Sequence, residues 1–199
     1  PSVEISTDVP HSEVHMLGYF LDYDNRDLQT KLERMRHSRQ ERAQGMIAKL
    51  KNLGVHIEWT RVQEIAGSGS ITRPHIAQAM LEKGYVASPK EAFIKYKGRN
   101  GPAYVERQKM TPVEAVALIL QAKGLPVLAH PLTMNNVEAV IIELKSAGLV
   151  GIEAYYNSYT TEEASTLVSL AEKYNLITTG GSDYHGLQGI QETMMGDAN

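Results

Sequence analysis

The sequence contains no cysteine, which excludes disulfide bonds and metal sites built on thiolates. It also contains no apolar run of the roughly 20 residues that a membrane-spanning helix needs. Neither sign of charge dominates, because 20 Lys and Arg stand against 23 Asp and Glu for a net charge of −3. Any site for a polyanion must therefore be local. We expect a cytoplasmic protein of one or two domains.

Two kinds of periodicity divide the chain. Residues 3–6 and 14–20 have the β-branched, alternating character of strands, and from Leu28 the apolar residues recur at helical spacing until Gly54. Helix starts are indicated at Pro74, at residues 88–91 and at residues 111–114. Residues 27–105 contain no strong strand, and we predict that they form an all-helical insertion.

The last third of the sequence alternates between strands and helices. Strands are predicted at 125–129, 150–156 and 176–180, and helices at 136–147 and 161–174. Strand–helix–strand units with short links imply parallel strands covered by helices, so the predicted class is α/β. We predict that residues 1–26 and 106–199 together form this α/β domain.

Residues of the kinds that bind metals or carry out acid–base chemistry lie on or just after these strands. Glu4 and His15 lie in the first two, His130 follows the strand at 125–129, and Asp183 and His185 follow the last one. Asp183 and His185 can reach one ion, because alternate residues of an extended chain face the same side. Each residue alone has an ordinary explanation, such as a half-buried histidine, a loop hydrogen bond or a helix cap. Together, histidine and carboxylate at strand ends favour zinc, manganese or iron.

Six ordered segments carry a resemblance to a known family. Residues 3–7, 13–19, 73–77, 101–105, 128–131 (Leu-Ala-His-Pro) and 180–186 (Gly-Gly-Ser-Asp-Tyr-His-Gly) resemble the PHP (polymerase and histidinol phosphatase) phosphoesterases of the TrpH/YciV type. The resemblance implies a distorted (β/α)₇ barrel, two or three divalent metals (Mn²⁺, Zn²⁺ or Fe²⁺), and a helical insertion over the mouth. It implies that Glu4, His15, His130, Asp183 and His185 bind metal, with Glu4, His130 and Asp183 in catalytic roles.

The family's first motifs have no counterpart in this sequence. Its members begin with a His-x-His pair followed by a further Asp and His, whereas this chain starts at what would be the third barrel strand. The resemblance therefore implies an N-terminally incomplete barrel with part of the metal site. Family members hydrolyse 3′,5′-nucleotide bisphosphates or short oligonucleotides through a metal-activated water, and we expect such a phosphorylated substrate here.

Substrate contacts are predicted in the insertion. Arg73 and His75 flank Pro74 at a helix start, where backbone donors favour an anion, and Arg99 follows the end of the next helix. The alternative is that Arg73 is solvated and His75 packs internally.

Two other functions stay open at this stage. A basic helix with Lys31, Arg34, Arg36, Arg39, Arg42, Lys49 and Lys51 suits a non-catalytic phosphate- or nucleic-acid-binding domain. It lacks aromatic residues for base stacking, and we expect no stable duplex DNA partner. A metal hydrolase of the amidohydrolase type would use similar ligands.

Overall fold

The computed structural model describes residues 1–9, 12–67, 69–98, 101–106 and 110–183. The chain divides into two compact units, one formed by Pro1–Gln29 with Lys109–Asn199 and the other by Thr30–Gln108. The helices, in chain order, are α1 (Arg26–Asn52), α2 (Trp59–Ala66), α3 (Arg73–Glu82), α4 (Pro89–Ala92), α5 (Pro112–Gln121), α6 (Val137–Ala147) and α7 (Thr161–Lys173).

The described part of the first unit contains a five-stranded sheet. Its strands are β1 (Ser2–Val9), β2 (Ser12–Tyr19), β3 (Leu125–Leu128), β4 (Gly151–Tyr156) and β5 (Ile177–Gly181), in that spatial order. The pairs β1–β2 and β2–β3 are antiparallel, whereas β3–β4 and β4–β5 are parallel. The α/β class is confirmed, including the parallel pairing expected of the strand–helix–strand units.

Alternation along β1 and β2 separates an apolar face from a polar one. Ile5 and Met16 lie opposite each other and are almost completely buried. Helix α5 covers this face, because a Cβ placed on Gly18 would lie 3.0 Å from Cγ1 of Ile119. The other face carries the even-numbered residues of β1, such as Glu4, and the odd-numbered residues of β2, such as His15.

Helices α5 and α7 both begin with a capping box, and the one at α5 was predicted from the sequence. Thr111 accepts a hydrogen bond from the backbone N–H of Glu114, whose carboxylate accepts one from the N–H of Thr111. Thr160 and Glu163 make the same pair of bonds at α7. These bonds use backbone donors that a helix start would otherwise leave unpaired.

The second unit is helical in its described residues and has its own core. Helices α1, α2 and α3 contribute buried apolar side chains to one cluster, among them Met46, Leu50, Val62, Ile76 and Met80. Helix α2 was not predicted from the sequence, because it is short and Val62 is its one fully buried residue. After α4 the chain continues as a π-helical turn, Phe93–Lys97, which ends at Gly98.

The start of α4 differs in detail from the predicted capping box. Ser88 does accept from the N–H of Glu91, but the Glu91 carboxylate accepts from the N–H of Ala87 instead of Ser88. Among the helices of the described residues, none combines the length and the apolar character that crossing a bilayer requires.

Candidate metal centre

Glu4 and His15 meet across the antiparallel pair β1–β2. Glu4 lies opposite Leu17 and His15 lies opposite Ser6, so the two are diagonal neighbours on one face of the sheet. Nδ1 of His15 lies 2.7 Å from Oε1 of Glu4. The strand register alone therefore brings a carboxylate and an imidazole into contact.

His130 joins this pair from the end of β3. Strand β3 pairs with β2, and the N–H of Ala129 donates to the carbonyl of His15 at 3.0 Å. Nε2 of His130 consequently lies 3.0 Å from Nδ1 of His15 and 3.7 Å from Oε1 of Glu4. The two rings contact each other edge to face, with centroids 4.8 Å apart.

Thr133 determines which nitrogen of His130 faces the cluster as an acceptor. The Thr133 hydroxyl donates to the carbonyl of His130 at 2.9 Å, so its single proton is used there. Nδ1 of His130 lies 3.2 Å from the Thr133 hydroxyl oxygen, so Nδ1 must carry the proton and donate it to that oxygen. In the neutral ring this assignment leaves the lone pair on Nε2, the nitrogen that faces His15 and Glu4.

The three residues fit a divalent metal ion. One ligand atom from each of Glu4, His15 and His130 lies within 4.8 Å of the other two. Imidazole nitrogen and carboxylate oxygen are the ligands of zinc, manganese and iron sites. A hydrogen bond donated by the far nitrogen of a ligating histidine is typical of them. We call these residues the Glu4–His15–His130 cluster.

The charges in the cluster favour an ion pair when metal is absent. When protonated, the rings of His130 and His15 donate towards the Glu4 carboxylate and hold the pKa of Glu4 far below its ordinary value, against the effect of burial. Burial acts to lower the pKa of His15, but hydrogen bonds to Glu13 and Glu4 outweigh it and raise the pKa to about 9. Since a metal binds neutral imidazole, metal binding must displace the proton of His15.

Asp183 lies just beyond β5 and does not belong to this cluster. Its Oδ2 accepts a hydrogen bond from the hydroxyl of Tyr156 at 3.1 Å, and its backbone has a positive φ of 51°. His185, its predicted partner, lies outside the described residues. The assignment of Asp183 and His185 as metal ligands therefore stays a prediction.

Several polar residues around the cluster were not predicted from the sequence. Glu153 is only 5% exposed, and its Oε2 accepts from the N–H of His130 at 2.8 Å. Burial raises the pKa of Glu153, and so do the charges of Asp183 and Glu4. A lone carboxyl group within an otherwise apolar strand was the signal that could have identified it.

Two tyrosines extend the polar surroundings of His130. The rings of His130 and Tyr156 are 5.8 Å apart, and those of Tyr156 and Tyr159 are 5.1 Å apart. The Tyr159 hydroxyl accepts from the N–H of Leu132 at 3.0 Å, and burial raises the pKa of Tyr159 to about 12. Burial and the charge of Asp183 also raise the pKa of Tyr156, so both tyrosines stay neutral hydrogen-bonding groups at physiological pH.

Two of the predicted substrate residues, Arg73 and His75, lie in the second unit. The Arg73 guanidinium lies over the ring of Phe93, 5.5 Å from its centroid. Nδ1 of His75 accepts from the N–H of Thr72 at 3.1 Å and so caps α3. Arg99 lies outside the described residues. The assignment of Arg73, His75 and Arg99 as substrate residues stays a prediction.

Part of the basic helix α1 is engaged internally. Nε of Arg42 donates to the carbonyl of Val105 at 2.7 Å, and Nζ of Lys49 donates to the carbonyl of Tyr104 at 2.6 Å. These two cations therefore support the fold of the second unit.

Comparison with known proteins places the chain beside metal-dependent phosphoesterases. It is 29% identical to a 3′,5′-nucleoside bisphosphate phosphatase from Chromobacterium violaceum, over 92% of this chain and 66% of the relative. It is 28% identical to the 5′-3′ exoribonuclease Rnm from Salmonella typhimurium, over 93% of this chain and 64% of the relative. The chain thus spans about two thirds of the length of these curated relatives. No profile of a protein family matches it.

Solved structures agree with this similarity. A protein from Bifidobacterium adolescentis, assigned as a metal-dependent phosphoesterase, superposes with a TM-score of 0.85 at 26% identity, over 99% of this chain and 71% of its own. A Chromobacterium violaceum protein described as an amidohydrolase, with bound sulfate and no metal, gives a TM-score of 0.82 at 29% identity, over 92% and 66% of the two chains. The resemblance predicted from the sequence is confirmed.

Proposed function

We propose that this chain forms the larger part of a metal-dependent phosphoesterase that hydrolyses nucleotide phosphates or short oligonucleotides. The observation that carries the proposal is the proximity of Glu4 Oε1, His15 Nδ1 and His130 Nε2, which lie 2.7, 3.0 and 3.7 Å from one another. The names of the relatives, a bisphosphate phosphatase and an exoribonuclease, supply the substrate class. We take manganese as the first metal to test and a cytoplasmic location as part of the proposal.

Different residues would bind the metal ion and orient its ligands. Glu4, His15 and His130 would hold the ion, while Thr133 keeps the His130 ring in the orientation that presents Nε2. A bound divalent ion supplies Lewis-acid stabilisation of phosphoryl oxygens and activation of water. Asp183 and His185, following β5, would add ligands, and the hydroxyl of Tyr156 restrains the Asp183 carboxylate.

The first experiment measures metal content together with Mn²⁺-dependent phosphate release from 3′-phosphoadenosine 5′-phosphate. Because the relatives are longer, it is run on this chain and on a chimera that adds the segments of the Chromobacterium violaceum relative that this chain does not match. We expect Glu4→Gln to lose bound metal and activity, because the neutral amide is a poor ligand. The matched control is Glu143→Gln, since Glu143 is an exposed residue of α6.

Metal content and turnover that survive Glu4→Gln would refute the proposed centre. Retention of both in a double variant, Asp183→Ala with His185→Ala, would remove those two residues from the ligand set. Absence of metal and of activity in the chain and in the chimera would leave the non-catalytic binding domain as the better account.

Arg73, His75 and Arg99 are proposed to bind a phosphate of the substrate. Arg73→Met removes the charge but keeps an apolar side chain over the ring of Phe93. We expect KM to rise with little change in kcat, as for a group that binds ground state and transition state alike. Arg26→Met, at the exposed start of α1 and outside the basic stretch, is the control. Equal KM values for both variants would contradict a role for Arg73.

The amidohydrolase alternative has one observation in its favour, the description of the Chromobacterium violaceum structure. It differs from the main proposal in the bond that is cleaved. Assay of the metal-loaded protein against N-acyl amino acids as well as phosphate esters therefore separates the two, and turnover of amides alone would favour the alternative.

A further inference from the structure

Glu153 is a carboxylate that the proposed metal centre does not use and that the fold nevertheless buries. It lies between Ile152 and Ala154, which are both fully buried. A buried carboxylate costs free energy unless specific partners compensate for it. Its partner is the backbone N–H of His130, 2.8 Å from Oε2.

That hydrogen bond acts on an unusual backbone. His130 has φ 24° and ψ 60°, in the left-handed region that non-glycine residues seldom adopt. Such a conformation costs free energy and persists only where neighbouring groups enforce it. The N–H is held by Glu153 and the carbonyl by the Thr133 hydroxyl, so both ends of the residue are fixed.

The second oxygen of Glu153 faces β5. A Cβ added to Gly181 would collide with Oε1 of Glu153, so the carboxylate lies directly against this glycine. Gly181 ends β5, two residues before Asp183, whose own φ is positive. The Glu153 carboxylate thus contacts both the segment after β3 and the end of β5. His130 lies in the first of these segments, and the predicted ligands Asp183 and His185 follow the second.

We propose that Glu153 is a positioning residue that fixes the backbone of His130 against β5 and thereby aims Nε2 of His130 at His15 and Glu4. Glu153 itself binds neither metal nor substrate. The importance of this role for catalysis rests on the proposed function, whereas the geometric role can be tested without metal.

The test compares three substitutions with one control. Glu153→Leu removes the acceptor at similar size, and Glu153→Gln retains an oxygen that can accept from His130. Gly181→Ala retains the carboxylate but displaces it. The control is Leu167→Ala, which opens a cavity in the buried face of α7 and destabilises the same unit without touching the carboxylate.

Hydrogen exchange of the His130 amide in metal-free protein is the first readout. We expect exchange to accelerate by about tenfold or more in Glu153→Leu and Gly181→Ala, beyond any change in Leu167→Ala, because the bond to the carboxylate is lost or displaced. Glu153→Gln should lie closer to the unmodified protein. Equal exchange of the His130 amide in Glu153→Leu and in the control would overturn the proposal.

Binding of Mn²⁺ is the second readout. Loss of a group that orients a ligand typically lowers metal affinity by roughly 10- to 100-fold, and we expect this for Glu153→Leu, with partial rescue in Glu153→Gln. Unchanged Mn²⁺ affinity in Glu153→Leu would also overturn the proposal. If even the unmodified protein binds no Mn²⁺, the metal function fails, and the exchange of the His130 amide alone decides whether Glu153 positions that residue.

Discussion

The contact between Glu4 and His15 predicts how one substitution changes a measurable pKa. A pKa of His15 raised from 6.5 to about 9 corresponds to about 3 kcal/mol in favour of the protonated ring. Two carboxylates share this effect, Glu13 at 3.7 Å from Nε2 and Glu4 at 2.7 Å from Nδ1. Because Glu13 remains in Glu4→Gln, we expect the pKa of His15 to fall by about one pH unit, or about 1.4 kcal/mol.

The assay is an NMR titration of the histidine ring protons in protein treated with a chelator. The sequence has seven histidines, and a His15→Asn variant assigns the relevant signal. Glu143→Gln, on the exposed side of α6, should leave the titration of His15 unchanged. A His15 that titrates near 6.5 in the unmodified protein, or one that ignores the loss of Glu4, would refute the proposed ion pair.

Three further predictions concern stability. In chelated protein, the free energy of unfolding should decrease as pH rises from about 6.5 to about 9, because His15 loses its proton near pH 6.5 in the unfolded chain but only near pH 9 in the folded protein. A flat profile in urea titrations would contradict this. Gly151→Ala should cost about 1–3 kcal/mol in urea unfolding, because its Cβ would lie 2.9 Å from the carbonyl oxygen of Ile177, and an unchanged midpoint would disprove the close approach. Thr160→Ala should cost about 1 kcal/mol of thermal stability by removing the acceptor for the N–H of Glu163, whereas Thr160→Ser should cost less; equal losses would argue against the cap.

Much of the fold could be predicted from local signals. The spacing of apolar residues and the residues that end helices were sufficient to predict the strands and the longer helices. Gly54 and Gly148, for example, end helices in the positive-φ conformation that glycine favours. The antiparallel joining of β2 to β3 could not be predicted, because it depends on long-range pairing of chain segments. Helix α2 was missed although Trp59, Val62 and Ile65 recur at helical spacing, because it has only eight residues and no side-chain cap marks its start.

The candidate site was predictable as a set of residue types but not as a geometry. Glu4, His15 and His130 were singled out because of their chemistry and their places on or after strands. The role of Thr133 in selecting the His130 tautomer depends on a hydroxyl proton that is already committed, which only the structure reveals. The burial of Glu153 likewise depends on what β5 places against it.

The cluster combines a contact within one strand pair with a contact across 115 residues of chain, from His15 to His130. Closing so long a loop costs conformational entropy and delays the pairing of β3 with β2 relative to the neighbouring strands β1 and β2. During refolding, Glu4 and His15 can therefore come together before His130 arrives. A metal ion present throughout would first meet a weak site with two ligands. The rate at which tight metal binding appears would therefore report the rate at which β3 pairs with β2.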